Sequence, residues 1–200
     1  MRKDFYTNKG YAPHDENTVP DQVLIRQIAA GDPRALEILY QRHGLALLRY
    51  LSGQIADRAQ AEEVLQDVML AVWHTARHFR AESSVRTWLI TIAHHRASNA
   101  RTRRSHFDDT SIDEIERVST DAPTLIESLI QQSEQKELYA AFNRLPAAQR
   151  ETLELVFYHA LSGPEAAQAL GVAHGTVKSR LHRALAKLRR LLQEAEIPNS

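Results

Sequence analysis

The sequence predicts an all-α protein: two small helical domains joined by a flexible acidic linker, the second ending in a helix-turn-helix. Three observations carry this. Apolar residues recur at three- and four-residue spacing through most of the chain, and no stretch alternates with the period of two that a half-buried strand needs. Glycine, proline and short polar clusters cut the periodic stretches into helix-length pieces. Charge is blocked along the chain, although 25 Lys and Arg balance 25 Asp and Glu to a formal net charge of zero. Residues 107–136 hold eight acidic against two basic side chains. Residues 21–106 hold twelve Arg against eight acidic residues, and residues 159–200 hold six Lys and Arg against three Glu. Two basic blocks flank an acidic one, and phosphate binding follows local rather than total charge.

Composition sets outer bounds. An apolar fraction of 43% and a charged fraction of 25% over 200 residues are those of an ordinary globular chain of one or two domains. With no cysteine there is no disulfide and no thiolate metal site. No apolar run approaches the roughly 18 residues that span a bilayer, so no membrane insertion is expected. The first twenty residues hold no apolar segment of the kind a signal peptide needs.

The elements follow in order. Residues 1–20 carry Gly10, Pro13 and Pro20 among polar residues without periodicity and read as a flexible tail. Asp21 is placed to cap a helix reaching about residue 30, with Val23, Leu24 and Ile28 inward. Gly31-Asp32-Pro33 interrupts it. Asp32 is a good N-cap and Pro33 a good first residue for a helix over about 33–53, whose apolar side is Leu36, Leu39, Tyr40, Leu47, Leu48 and Leu51. Residues 57–79 form the next long helix, buried through Leu65, Val68, Met69, Val72, Trp73 and Phe79. Its other side carries Glu62, Glu63, Gln66 and Asp67, which by residue type alone suit a solvated face as well as a partner's contact. His74 and His78 have the i, i+4 spacing of metal ligands, but no third ligand stands at a recognisable distance. An exposed pair near a helix C-terminus is the expected reading, with no metal site.

Residues 80–84 are a polar loop, and Ser83 or Ser84 can cap a helix starting near Arg86. Trp88, Leu89, Ile92 and Ala93 go inward, Trp88 as core rather than as a stacking platform. The outer side and exit carry His94, His95, Arg96, Ser98, Asn99, Arg101, Arg103 and Arg104; basic residues interleaved with Asn, Ser and His suit a nucleic-acid surface. Residues 107–133 read as the acidic linker, with one short helix near 123–133. A helix over about 133–144 is broken at Leu145-Pro146, and another follows over 147–159. Gly163-Pro164 then starts a short helix with Ala166, Ala167 and Leu170 inward, and Gly171 ends it. The following helix buries Val177, Leu181, Leu185 and Leu188, leaving Lys178, Ser179, His182 and Arg183 on a cationic outer strip followed by Lys187, Arg189 and Arg190. Such a strip suits a helix-turn-helix whose second helix enters the major groove, and by residue type alone it also suits a small helical bundle with a solvated basic face.

With these residues in view, 21–192 resembles a bacterial RNA polymerase sigma factor of the two-domain, extracytoplasmic-function type. The matching stretches are AGDPRALEILYQRH, AEEVLQDVMLAVWHTARHFRAESSVRTWLITIAHHRASNARTRR, LPAAQRETLELVFYHALS and LGVAHGTVKSRLHRALAKLRRLL, in that order. The resemblance implies domain 2 over 21–106, the linker over 107–133 and domain 4 over 134–194. It implies that Glu62, Glu63, Gln66 and Asp67 are polar contacts of core RNA polymerase. Arg80, Ser83 and Ser84 would hold a base flipped from the −10 promoter element, and Arg96, Asn99, Arg101, Arg103 and Arg104 the displaced strand. Lys178, Ser179, Arg180, His182, Arg183 and Lys187 would read the −35 element, Arg180 and Lys187 chiefly at phosphates. The acidic linker, with Asp108, Asp109, Asp113 and Glu114, would follow a basic path on the polymerase. Core polymerase and promoter DNA are the implied partners, an anti-sigma factor a further one, the cytoplasm the implied location, and no cofactor is called for. The pattern departs from the family at Ala81, often Gly, at Val85, often aromatic, and at Gly163-Pro164-Glu165-Ala166-Ala167, where an aromatic-acidic-acidic-Ile-Ala run is usual. These departures bear on the promoter sequence preferred.

No Ser/His/Asp set, glycine-rich phosphate loop or catalytic carboxylate pair stands out, so an enzyme is not expected. Two other readings fit parts of the chain. A helix-turn-helix regulator acting without polymerase would have no use for an acidic helix beside a basic one. A helical adaptor binding no DNA would have no use for the strip over 178–190.

Overall fold

The computed structural model describes residues 19–107 and 133–196. The expected N-terminal tail, the short helix near 123–133 and the acidic residues of the linker lie almost wholly outside these. Every regular element among the described residues is a helix: α1 (Asp21–Ala29), α2 (Pro33–Gln54), α3 (Arg58–Thr75) and α4 (Val85–Phe107) come first. After the linker come α5 (Ser133–Asn143), α6 (Ala147–Leu153), α7 (Gly163–Leu170) and α8 (His174–Glu196).

The local signals act where the residue chemistry puts them. Asp32 accepts from the Arg34 amide at 2.9 Å ahead of Pro33, and Asp57 caps α3 through the Ala59 amide at 2.9 Å. Ser84 Oγ accepts from the Thr87 amide at 3.1 Å, so Ser84 rather than Ser83 caps α4. Ser162 and Glu165 form a reciprocal capping box on α7, with Ser162 donating to Glu165 through both its amide and its hydroxyl. Gly171 closes α7 in the left-handed region at φ 62°.

Several expectations are corrected. Asp21 does not cap α1; Pro20 holds that position, and the Asp21 carboxylate instead accepts from Arg42 at 2.8 Å and meets His43 at 2.6 Å. An arginine and a histidine of the second helix draw the carboxylate away from the first turn, where the Val23 and Leu24 amides donate to Pro20 O instead. The helix over 57–79 is α3 followed by a separate 3-10 turn, Ala76–His78. The helix expected over 147–159 is α6 followed by a π turn, Glu154–Tyr158, in which the His159 amide donates to Glu154 O at 3.0 Å. That wider turn leaves Leu155 and His159 inward at 0% and 1% exposure and Phe157 outward at 68%. Tyr40 and Leu185 are exposed rather than core, whereas Ile25, Ala184 and Leu191 are buried. A regular 3.6-residue period carries i, i+4, i+8 positions round the helix, so Leu185 drifts off the stripe that Val177 begins.

One apolar core runs through both helical groups. Leu24, Ile28, Leu39, Leu51, Val68 and Leu89 from the first four helices pack in the same cluster as Leu155, Leu161, Ala166, Leu170 and Val177 from the C-terminal ones. A smaller cluster, Leu145, Leu153 and Ala184, ties α6 to α8. Fully burying a leucine contributes about 1.5–3 kcal/mol, so the shared core fixes how the two groups sit together.

Candidate nucleic-acid interface

The α3 acids and the α4 arginines meet. Glu62, Glu63 and Gln66 are exposed on α3 and Asp67 is half-buried. An open groove of about 310 Å³ is lined by Gln60, Glu63, Val64 and Asp67 on one wall and Arg96, Ala100 and Arg103 on the other. The sequence reading divided these residues between a protein contact and a DNA contact; folding sets them face to face. The Arg58–Glu62 pair at 3.1 Å is half-exposed at each end and contributes little.

The loop ahead of α4 has its own geometry. Ala81 sits at φ 58°, the conformation for which glycine is the easier residue. Arg80 is exposed and lies 3.9 Å from Glu82, and Ser83 is half-buried. Ser84 is committed twice, to the Thr87 amide and to the Thr87 hydroxyl at 2.8 Å. Further along α4, Asn99 is exposed, while Arg101 turns inward and donates to Gln54 Oε1 at 3.0 Å. Arg101 thus fastens α4 to α2. The Arg104 side chain lies outside the described residues.

The helix-turn-helix presents its strip as expected. Lys178, Ser179, His182 and Arg183 are exposed on the first half of α8, with Val177 and Ala184 fully buried behind them. Arg180 and Lys187 are half-buried at its flanks. Arg183 folds back on its own helix, donating to Ser179 O at 3.2 Å and to Ser179 Oγ at 3.1 Å. Those bonds hold the guanidinium against the exposed face of its own helix. His74 and His78 are both exposed, and among the described residues no group of three His, Asp or Glu is arranged to hold a metal. No helix among them is long and apolar enough to cross a membrane.

A polar cluster between the two helical groups was not foreseen. Glu151 of α6 is 8% exposed, and its Oε1 accepts from the Tyr50 hydroxyl of α2 at 2.6 Å. The same oxygen lies 2.9 Å from His94 Nδ1 of α4; a carboxylate only accepts, so Nδ1 carries the proton. Burial pushes the Glu151 carboxyl up, but the bonds from His94 and Tyr50 outweigh it and hold the group below its usual range. Burial, with the Glu151 charge behind it, pushes the Tyr50 phenol well up. Nearby, Arg49 donates to the Tyr158 hydroxyl at 2.7 Å, and the Thr87 hydroxyl to Glu165 Oε1 at 2.9 Å. Sequence position did not signal it: the helical period sets His94 among the outward residues of α4 and leaves Tyr50 off the expected apolar side of α2.

Comparison with known proteins bears on these surfaces together. The family model described as sigma-70 region 2 matches residues 39–107, and that described as sigma-70, region 4 matches residues 135–188. The chain is 32% identical over 181 residues to the RNA polymerase sigma factor NccH of Alcaligenes xylosoxydans xylosoxydans, covering 88% of this chain and 97% of that protein. It is 30% identical over 171 residues to the ECF RNA polymerase sigma factor SigK of Mycobacterium ulcerans, covering 84% and 91% respectively. Among solved structures it resembles CnrH in complex with the cytosolic domain of CnrY (TM-score 0.62, 28% identity, 88% of this chain and 99% of that one). It also resembles the sigma factor RpoE of Bartonella quintana in complex with the anti-sigma factor NepR (TM-score 0.62, 28% identity, 78% of this chain and 96% of that one).

Proposed function

The chain belongs to the sigma-70 family, among the extracytoplasmic-function sigma factors that direct transcription initiation with core RNA polymerase, and from that premise we propose how its surfaces divide the work. Domain 2, residues 21–106, docks on the polymerase through Glu62, Glu63, Gln66 and Asp67 of α3. The loop Arg80, Ser83 and Ser84 takes a base unstacked from the −10 element, and Arg96, Asn99, Arg103 and Arg104 hold the phosphates of the opened strand. Arg101 contributes by seating α4 on α2. Unpairing costs about 1–2 kcal/mol per base step, which strand and pocket contacts must offset. Domain 4, residues 134–194, reads the −35 element with Lys178, Ser179, His182 and Arg183, while Arg180 and Lys187 meet phosphates.

The observation that carries this reading is the exposed strip on α8, backed by Val177 and Ala184, in the same chain as an acidic α3 beside an arginine-bearing α4. The chain acts as an initiation factor and the polymerase performs the chemistry, in the cytoplasm where that enzyme works. The similarity to CnrH and RpoE, each solved with a partner chain, supports an anti-sigma factor as a further partner here. Run-off transcription with purified core polymerase on genomic fragments tests the assignment. Start sites that core alone ignores are the expected result; their absence, with no core polymerase retained on the immobilised chain, overturns it.

A further inference from the structure

His174 lies one turn ahead of the strip already assigned on α8. His174, Lys178 and His182 stand at i, i+4 and i+8 and all three are exposed, so they share one line along the helix. Among the described residues the His174 ring makes no hydrogen bond and no ion pair. It rests instead on the start of α7. A Cβ placed on Gly163 would stand 2.7 Å from His174 Nε2 and 3.2 Å from its Cδ2. Carbon and nitrogen do not approach that closely without a bond, so the ring keeps this place only because residue 163 has no side chain. Gly163 is also where the sequence departs from the family's usual aromatic residue, and any such side chain would displace the imidazole.

The place that this contact fixes matters for DNA. In a helix-turn-helix the second helix enters the major groove while the first crosses the backbone. A ring carried by the first turn of α8 and seated on the first residue of α7 stands between the two, at the edge of the groove, where phosphates run. Imidazole offers a ring N–H to an anionic oxygen, and such bonds fix how a protein sits on the duplex without reading its sequence. The acid in the same turn of α7 does not compete for that donor. Glu165 accepts from the Ser162 amide and hydroxyl through Oε2 at 2.9 and 2.7 Å, and from Thr87 through Oε1 at 2.9 Å.

We propose that His174, held in place by Gly163, is a DNA-backbone contact of the −35 reader: it donates to a phosphate beside the bases faced by Lys178 and Arg183. This rests on the assignment of α8 to the −35 element. Glycine at 163 then matters through the ring it admits, so the two residues act as one unit.

A double-mutant cycle tests the pair. The probe is a genomic start site found by run-off with the full chain and core polymerase. His174→Ala is expected to weaken holoenzyme binding to that promoter about fivefold, and by the same factor on copies that carry single base changes in the −35 element, with core polymerase pull-down unchanged. No loss, or a loss whose size follows the base, overturns the contact. Gly163→Ala is expected to weaken binding by a comparable factor with no fall in melting temperature, and to weaken it no further in a chain already carrying His174→Ala. Losses that multiply overturn the coupling. His174→Lys keeps a donor without the ring and is expected to hold promoter affinity whether or not Gly163→Ala is present; a loss equal to that of His174→Ala overturns the proposal. In the free full-length chain a nuclear Overhauser contact between the Gly163 α protons and the His174 ring is expected, and its absence overturns the seating. If the wild-type chain starts no transcription with core, the sigma-factor reading fails and the DNA contact with it, while the Overhauser contact still decides whether Gly163 seats the ring.

Discussion

Acidification should loosen this protein through one side chain, His159. Its ring is 1% exposed, edge-on to Tyr50 at 5.8 Å and to Tyr158 at 5.0 Å, and its Nε2 has no hydrogen-bond partner. Burial, and then the Arg86 charge, lower its pKa from 6.5 to about 4. Once the chain opens, the imidazole takes a proton at its ordinary value. Above pH 6.5 both states are neutral and the histidine costs nothing. Between pH 6.5 and 4 the opened chain binds more protons, so stability falls as pH falls; below about 4 the loss is complete. Integrated from pH 8 to pH 5, the difference is about 2 kcal/mol. Glu151 adds to the loss only at lower pH, because its stabilised carboxylate is protonated later than an ordinary one. Urea unfolding at pH 8 and pH 5, on wild type and His159→Phe, measures the effect. Every other pH-dependent contribution is common to the two proteins, so the difference between their two pH responses belongs to His159. Equal losses in the two proteins would refute the reasoning.

Three further outcomes follow from single contacts. Leu155→Ala, emptying a 0%-exposed position where the two helical groups share a core, should cost about 2–5 kcal/mol and lower the melting temperature accordingly, by calorimetry. Gly171→Ala forces an L side chain into φ 62° and should cost about 1 kcal/mol, weakening −35-dependent transcription by misaligning α8. Lys178→Ala with Arg183→Ala should abolish dependence on the −35 element in run-off assays while leaving core polymerase pull-down unchanged; lost pull-down would contradict the division of roles.

The elements were legible wherever a residue's local chemistry decides. Asp32-Pro33 starts α2 and Gly171 ends α7 because capping and left-handed turns involve only neighbours in sequence. The exposed strip on α8 was legible for the same reason, since helical period alone separates Lys178 and Arg183 from Val177 and Leu181. Asp21 was misjudged because its partners, Arg42 and His43, arrive from a different helix. The Tyr50–His94–Glu151 cluster was invisible for a stronger form of that reason. Its members lie 44 to 101 residues apart, and each alone passes for an ordinary surface residue. The groove where Glu63 and Asp67 face Arg96 and Arg103 likewise exists only once α3 packs on α4.

The same covalent connection must allow both the packed arrangement of the two helical groups and the promoter-bound one, and its length can be checked against each. Twenty-five residues separate the described segments, 108 to 132. At about 3.4 Å per residue no conformation of such a stretch exceeds about 85 Å. That limit matches the separation of the two promoter elements, about 25 base pairs at 3.4 Å per pair, so the readers can part far enough without the chain being cut. A connection this short also keeps the two modules at an effective concentration on the order of millimolar. An interface too weak to hold separate molecules together therefore still packs the two groups of a single chain. Lengthening the connection by 25 residues should lower the effective concentration about threefold or more by chain statistics.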